Sequence, residues 1–191
     1  PVFVSTVPKS GTHLLKNILF KIFGPKVILP GWLSWDFMNE EKLFNATAYS
    51  NRIYLGHIFY SHRLERKLRK FPKILLMRDP RAHIVSYSHQ YDRGHIPEKI
   101  ADDFRSLPNW DTKLSAMTYG LQGDNPGSRI LSVQDKYQKT TLSWMKSENV
   151  RPLKFENLVG DAFGGSDQKA IDEICELMKF IGIEPDRAHL E

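Results

Sequence analysis

Pro1-Val2-Phe3-Val4-Ser5-Thr6-Val7-Pro8-Lys9-Ser10-Gly11-Thr12-His13-Leu14-Leu15 opens the chain and decides its fold. It reads as strand, tight loop, helix. Val2, Phe3, Val4 and Val7 are the β-branched or aromatic residues that a buried strand favours. Pro8 has no N–H for a sheet ladder and stops the strand. Ser10 and Thr12 are residue types that cap helix N-termini, and Gly11 permits backbone angles that a side chain would forbid. The helix that follows sets Leu15, Ile18, Leu19 and Ile22 on one face and ends at Gly24-Pro25. Its unpaired amides and dipole point at the loop, and Lys9 adds a full positive charge, so the stretch describes an anion cradle. It equally describes an ordinary strand-to-helix turn with a surface lysine, and taken alone it leaves both readings open.

The Walker arrangement requires Gly-x-x-x-x-Gly-Lys-Ser/Thr, with lysine after the second glycine. Here the lysine comes first, in Pro8-Lys9-Ser10-Gly11-Thr12. This order resembles the 5′-phosphosulfate loop of the sulfotransferases, whose usual form is Tyr-Pro-Lys-Ser-Gly-Thr-Thr-Trp. The resemblance implies 3′-phosphoadenosine 5′-phosphosulfate (PAPS) as sulfuryl donor.

The 191 residues suit a single domain over 1–191. At 41% hydrophobic and 12% aromatic, the chain has enough apolar surface for a core, which excludes a disordered protein. A net charge of +5 favours anionic ligands without choosing among nucleotide, sulfated sugar, nucleic acid and membrane. No run approaches the ~20 apolar residues of a membrane-spanning helix. Cys175 is the only cysteine, so neither an internal disulfide nor a cysteine-based zinc site can form. No signal peptide is visible, although the chain starts without Met, which leaves room for a trimmed upstream segment. A cytoplasmic setting is expected, with the lumenal domain of an anchored enzyme as the alternative.

Further along, Val27 to Pro30 is expected to be a short strand. Trp32, Trp35 and Phe37 fall in a mixed stretch, 31–51, that lines a pocket or plugs a core edge. Arg52 to His57 reads as a strand. Arg63 to Lys70 is a basic helix with a solvated face; it lacks the stacking aromatics and groove-reading elements that nucleic-acid binding would want. Lys73-Ile74-Leu75-Leu76-Met77-Arg78 is a buried strand, and Asp79-Pro80 opens a helix with Asp79 as cap and proline in the first turn. Ala82, Val85, Ser86 and His89 share a face of that helix. Residues 92–110, broken by Gly94, Pro97 and Pro108, are long loops with a short helix. Helices resume around Trp110–Leu121 and Ile130–Trp144, and Pro152 to Glu156 is a further strand. Gly160 to Ser166 is a connection, and Ile171 to Ile181 an amphipathic helix with Ile171, Ile174, Leu177, Met178 and Ile181 inward. Strands near 3–7, 53–56, 74–77 and 153–156 alternate with helices, which predicts an α/β three-layer sandwich around a central parallel sheet. Ligands bind such sheets at the carboxyl ends of the strands. Lys9, His57, Arg78 and Glu156 all fall there.

A second motif, Leu76-Met77-Arg78-Asp79-Pro80-Arg81-Ala82-His83-Ile84-Val85-Ser86-Tyr87-Ser88-His89, resembles the sulfotransferase 3′-phosphate segment. In that family an arginine, and a serine eight residues later, hold the 3′-phosphate; Arg78 and Ser86 keep the spacing. An arginine fork suits a phosphate, and a helical hydroxyl adds a neutral donor. Tyr54-Leu55-Gly56-His57 stands where the family has a strand ending in Lys-Thr-His, whose histidine is the catalytic base. Val133 to Trp144 resembles the helix before the fourth strand. Leu153-Lys154-Phe155-Glu156-Asn157-Leu158 resembles the Phe-Tyr-Glu-Asp segment, with Phe155 in place of an adenine-contacting tyrosine. The likeness spans about residues 1–185 and implies the P-loop-NTPase-like architecture of that family.

Four departures stand out. His13-Leu14 replace Thr-Trp, so the tryptophan that stacks on adenine is absent. Leu55-Gly56 replace Lys-Thr, and Phe155 lacks the tyrosine hydroxyl. The late Arg-Lys-Gly-x-x-Gly segment that closes over the 3′-phosphate has no counterpart before Glu191. The resemblance implies in-line sulfuryl transfer from PAPS to an acceptor hydroxyl or amine, leaving adenosine 3′,5′-bisphosphate (PAP). His57 takes the acceptor proton and Lys9 steadies the leaving phosphate. Ser10, Gly11, Thr12 and His13 hold the 5′-phosphate. No metal is required. Small molecules, carbohydrates or lipids are the expected acceptors, with no nucleic acid and no stable membrane insertion. The alternatives are a small-molecule or nucleotide kinase, with Asp79 imitating a Mg²⁺-holding acid, and a catalytically inactive PAP/PAPS-binding protein.

Overall fold

Two rows of side chains leave the first strand in opposite directions, and both are buried. The computed structural model describes residues 1–24, 52–94, 99–123, 129–186 and 190. In chain order the elements are β1 (Val2–Thr6), α1 (Thr12–Phe23), β2 (Ile53–Gly56), α2 (His62–Leu68), β3 (Lys73–Met77), α3 (Pro80–Asp92), α4 (Lys99–Arg105), α5 (Trp110–Tyr119), β4 (Leu121–Gln122), β5 (Arg129–Ile130), α6 (Val133–Tyr137), β6 (Val150–Lys154) and α7 (Asp167–Phe180). The strand expected at Val27 to Pro30, and Trp32, Trp35 and Phe37, lie outside the described residues.

The chain forms two compact units, residues 1–78 with 140–191, and residues 79–139. The first holds a parallel sheet of order β2-β1-β3-β6. On one face Val4, Leu55, Ile74, Leu76 and Leu153 pack with Leu15 and Leu19 of α1 and Ile174, Leu177 and Met178 of α7. On the other, Phe3, Tyr54 and Leu75 pack with Leu64 and Leu68 of α2 and with Trp144. Each such side chain contributes about 1.5–3 kcal/mol by leaving water. Covering both faces makes the sheet the middle of three layers, as the continuous apolar runs predict. The end of α2 is held by Lys73, whose buried Nζ donates to the carbonyls of Leu68 (2.9 Å), Arg69 (3.3 Å) and Phe71 (2.8 Å). Burial pushes that ammonium down to about 8.

The second unit packs Tyr87 and Tyr91 of α3 with Ile100 and Phe104 of α4, Ala116 and Met117 of α5, and Ile130. Asp79 caps α3, as expected, accepting from the Arg81 amide with Pro80 in the first turn.

Three expectations shift. β1 starts and ends one residue early. β6 spans Val150–Lys154, so Pro152 lies inside it; among the described residues β6 pairs only with β3, and an edge strand tolerates a residue without N–H. The helix expected over Ile130–Trp144 is broken into β5, α6, a π-helical turn at Gln138–Leu142 and a 3₁₀ turn at Trp144–Lys146. Tertiary bonds accompany the break: Ser5 Oγ donates to the Thr140 carbonyl at 2.8 Å, and Trp144 Nε1 to the Ile58 carbonyl at 3.0 Å. A π turn is rare and marks a place where the regular helical ladder is interrupted. Among the described residues no helix is long and apolar enough to cross a membrane.

Candidate functional site

After β1 the chain turns through two residues of positive φ, Lys9 at 64° and Gly11 at 95°. A lysine there costs roughly 1–2 kcal/mol of backbone energy. Bonds on every side hold it. Ser10 is fully buried; its amide donates to the Val7 carbonyl (3.1 Å), and its hydroxyl donates to Val7 O (2.6 Å) and Leu76 O (3.3 Å). Arg78 Nη1 donates to the Lys9 carbonyl at 3.1 Å. The Lys9 side chain itself is exposed. The helix cap is Gly11 rather than Ser10 or Thr12, and no side chain caps α1. The first amides of α1, at Thr12, His13 and Leu14, therefore lack intrahelical acceptors and face the loop. This is the anion-binding geometry of a helix start.

Gly11 serves a second purpose. A Cβ there would lie 2.3 Å from the Phe155 ring. Phe155 follows β6, and the Arg78 guanidinium lies 4.5 Å from its ring centroid, within cation–π range. Loop, arginine and aromatic ring thus lock together at the carboxyl ends of β1, β3 and β6. Beside them opens a cleft of about 710 Å³, lined by Leu14, Arg78, Phe155, Glu156 and Phe163 among others. That volume suits a nucleotide-sized ligand. Phe163 is 86% exposed, on a 3₁₀ turn (Asp161–Phe163) closed by Gly164 at φ 80°. Sequence reasoning passed over it; the readable signal was a lone large aromatic among the glycines of 160–166.

His57 stands one residue past β2, half-buried. Its Nδ1 lies 2.9 Å from the Thr6 carbonyl and 2.9 Å from Thr6 Oγ1. Thr12 Oγ1 donates to Thr6 Oγ1 at 3.0 Å. Burial lowers the His57 pKa from its ordinary 6.5; the Thr6 bond opposes this, and the positive charge His13 carries when protonated reinforces it. The imidazole is therefore neutral at neutral pH. Thr6 was missed in the sequence because a threonine at a strand end has no signature of its own.

Lys9, Ser10, Gly11, Thr12, His13, His57, Arg78 and Phe155 all belong to the first unit. His13 is exposed on the first turn of α1, and Thr12 is buried beneath it. Ser86 lies in the second unit, half-buried on α3. Asp79 is engaged by Arg81, which bonds it through backbone and side chain and holds it far below the usual carboxylate range. Among the described residues no group of three His, Cys, Asp or Glu side chains could hold a metal ion.

The family model described as the sulfotransferase domain matches residues 1–190. A crystal structure of mouse sulfotransferase SULT7A1 complexed with PAP is similar in fold, with a TM-score of 0.64 at 18% identity. The likeness covers 99% of this chain and 60% of that one, so this chain spans about three fifths of that structure's length. None of the curated proteins compared with the sequence matches it.

Proposed function

This chain belongs to the sulfotransferase family, and we propose that it transfers a sulfuryl group from PAPS to an acceptor hydroxyl or amine. The observation that carries the reading is the locked group of Gly11 loop, Arg78 and Phe155 on the wall of a nucleotide-sized cleft. In this reading residues 1–191 act as one sulfotransferase domain. The amides at the start of α1 hold the 5′-phosphate. Arg78 takes the 3′-phosphate, the role that the family motif also gives Ser86. Phe155 and Phe163 offer apolar faces to adenine, which compensates for Leu14 where the family has tryptophan.

The chemistry is an in-line displacement. The acceptor oxygen forms a bond to sulfur while the bond from sulfur to the phosphate oxygen breaks, and the phosphate leaves with the electron pair as PAP. His57 takes the acceptor proton, and its lowered pKa keeps it unprotonated for that task. Lys9 places a full charge beside the oxygen on which negative charge grows. The kinase alternative loses its metal-holding acid, because Asp79 is engaged by Arg81 and the α3 amide.

The test is calorimetric titration with PAP and adenosine 5′-monophosphate, followed by ³⁵S-labelled PAPS with a panel of phenol, sterol, sugar and amine acceptors. PAP binding with labelled product is expected without added Mg²⁺. Tight PAP binding without turnover on any acceptor would support the inactive nucleotide-binding reading. Phosphate transfer from ATP would support a kinase.

A further inference from the structure

We infer that Thr6 is a positioning residue for His57: its main-chain carbonyl and its hydroxyl together hold Nδ1 as the protonated ring nitrogen and so make Nε2 the proton acceptor. The inference rests on the proposed role of His57 as base.

Sheet register brings the two residues together. β1 and β2 are parallel neighbours with Ser5 opposite Gly56, so Thr6, the last residue of β1, and His57, the first beyond β2, lie side by side. The imidazole is thereby brought back against the β1 main chain, with Nδ1 at 2.9 Å from Thr6 O. A carbonyl oxygen can only accept, so a bond at that distance requires hydrogen on Nδ1. The opposite tautomer would set two lone pairs face to face.

The neighbouring protons agree with this assignment. Thr12 Oγ1 gives its proton to Thr6 Oγ1 (3.0 Å), and Thr6 Oγ1 gives its own to the Gly56 carbonyl (3.4 Å). A lone pair on Thr6 Oγ1 then meets the same Nδ1–H at 2.9 Å. Among these bonds each proton has an acceptor and no two donors collide. Thr6 is fully buried and Thr12 nearly so, so water cannot readily replace either bond. The tautomer of a histidine is set by the bond its other nitrogen makes, and here that bond comes from main chain that side-chain motion cannot withdraw. During transfer the acceptor proton passes to Nε2. The imidazolium formed keeps its Nδ1–H on the Thr6 carbonyl, whose partial negative charge favours the cation. Because Thr12 is also the first residue of α1, one hydroxyl links the base to the start of the anion loop.

The experiment is a long-range ¹H–¹⁵N correlation spectrum of the histidine-labelled chain above the histidine titration, with His57 assigned by its loss in His57→Ala. We expect His57 as the Nδ1–H tautomer, the minor form in free histidine. An Nε2–H pattern, or the averaged pattern of free imidazole, would overturn the inference. Kinetics add a second readout with 4-nitrophenol, or whichever acceptor the panel identifies. Thr6→Val keeps the carbonyl and so should leave His57 as Nδ1–H, but it loses the second acceptor that fixes the ring; kcat should fall on the order of 10- to 10²-fold with donor KM unchanged and be rescued by Thr6→Ser. A raised donor KM at unchanged kcat would show that Thr6 only supports the loop, and would also overturn it. Should Thr6→Val not fold, the wild-type spectrum decides. If His57→Ala keeps its turnover while wild-type His57 is Nδ1–H, the base assignment fails and the tautomer finding stands, so the two failures are distinguishable.

Discussion

Each unit of the molecule withdraws a histidine from water, and the two are held by different forces. In the first unit His57 rests on a carbonyl and a hydroxyl of Thr6. In the second, His83 is 1% exposed, with its ring centroid 5.5 Å from those of both Tyr87 and Tyr137. Ring packing treats the two imidazole nitrogens alike, whereas a carbonyl acceptor distinguishes them. The lysines repeat the contrast. Lys9 carries its charge in solvent at the mouth of the anion loop. Lys136 is buried with Nζ 4.4 Å from the Tyr87 ring centroid, and burial pushes it down to about 7. The first pair lies at the carboxyl ends of β1 and β2; the second is buried among aromatic rings.

The sharpest way to break this contrast is to exchange the histidines' fates. His57→Ala should lower kcat by roughly 10²–10⁴-fold while the protein stays folded and binds PAP. The wild-type rate should rise with pH through a limb centred below 6.5, because burial lowers the His57 pKa, and His57→Ala should lack that limb. His83→Ala should instead lower the melting temperature and leave the limb in place, as should His13→Ala and His89→Ala without the loss of stability. Disappearance of the limb in His83→Ala would dissolve the distinction.

Lys9→Met should lower kcat on the order of 10²-fold with a smaller loss of PAP affinity, read by steady-state kinetics beside calorimetry. A raised donor KM at near-normal kcat would make Lys9 a binding residue alone. Arg78→Ala should weaken PAP by roughly 1.5–3 kcal/mol, the cost of a lost charged hydrogen bond, and adenosine 5′-monophosphate much less. Equal weakening of both ligands would remove Arg78 from the 3′-phosphate. Phe163→Ala should weaken both nucleotides alike, by about 1–3 kcal/mol if the ring stacks on the base.

The smallest effect belongs to the second unit. Between pH 7 and 10.5 the unfolded chain holds a proton on Lys136 that the folded chain has released, so stability rises with pH across that window and the penalty is full below it. Chemical denaturation of Lys136→Met should show a flatter slope there. An unchanged slope would mean that Lys136 is hydrated in solution.

Much of the first unit was legible in the sequence because its signals are local. Val2 to Leu15 carries strand, breaker and helix within one stretch, and Asp79-Pro80 caps α3 with the residues that such a turn demands. What escaped was set by partners distant in the chain. The strand expected to start at Pro152 starts at Val150, because at the sheet edge a proline can lie inside a strand. The helical period of 130–144 holds on paper, yet the structure breaks it where Ser5 bonds the Thr140 carbonyl. The hairpin of β4 and β5 pairs two residues with two, too few for any period to register.

The candidate site divides in the same way. The residue types Lys9, Gly11, Arg78 and His57, and their positions just after apolar runs, could be read directly, since strand ends and glycine turns are written in neighbouring residues. That Gly11 is needed to admit the Phe155 ring, that Arg78 bonds the Lys9 carbonyl, and that Thr6 meets His57 could not. Each joins residues from different strands, and only the parallel register of β1, β2, β3 and β6 brings those strand ends to one rim. The sequence by itself determined which candidate groups stand at the strand ends; the tertiary structure decided which nitrogen faces which oxygen, because hydrogen bonds depend on tenths of an ångström that only packing sets.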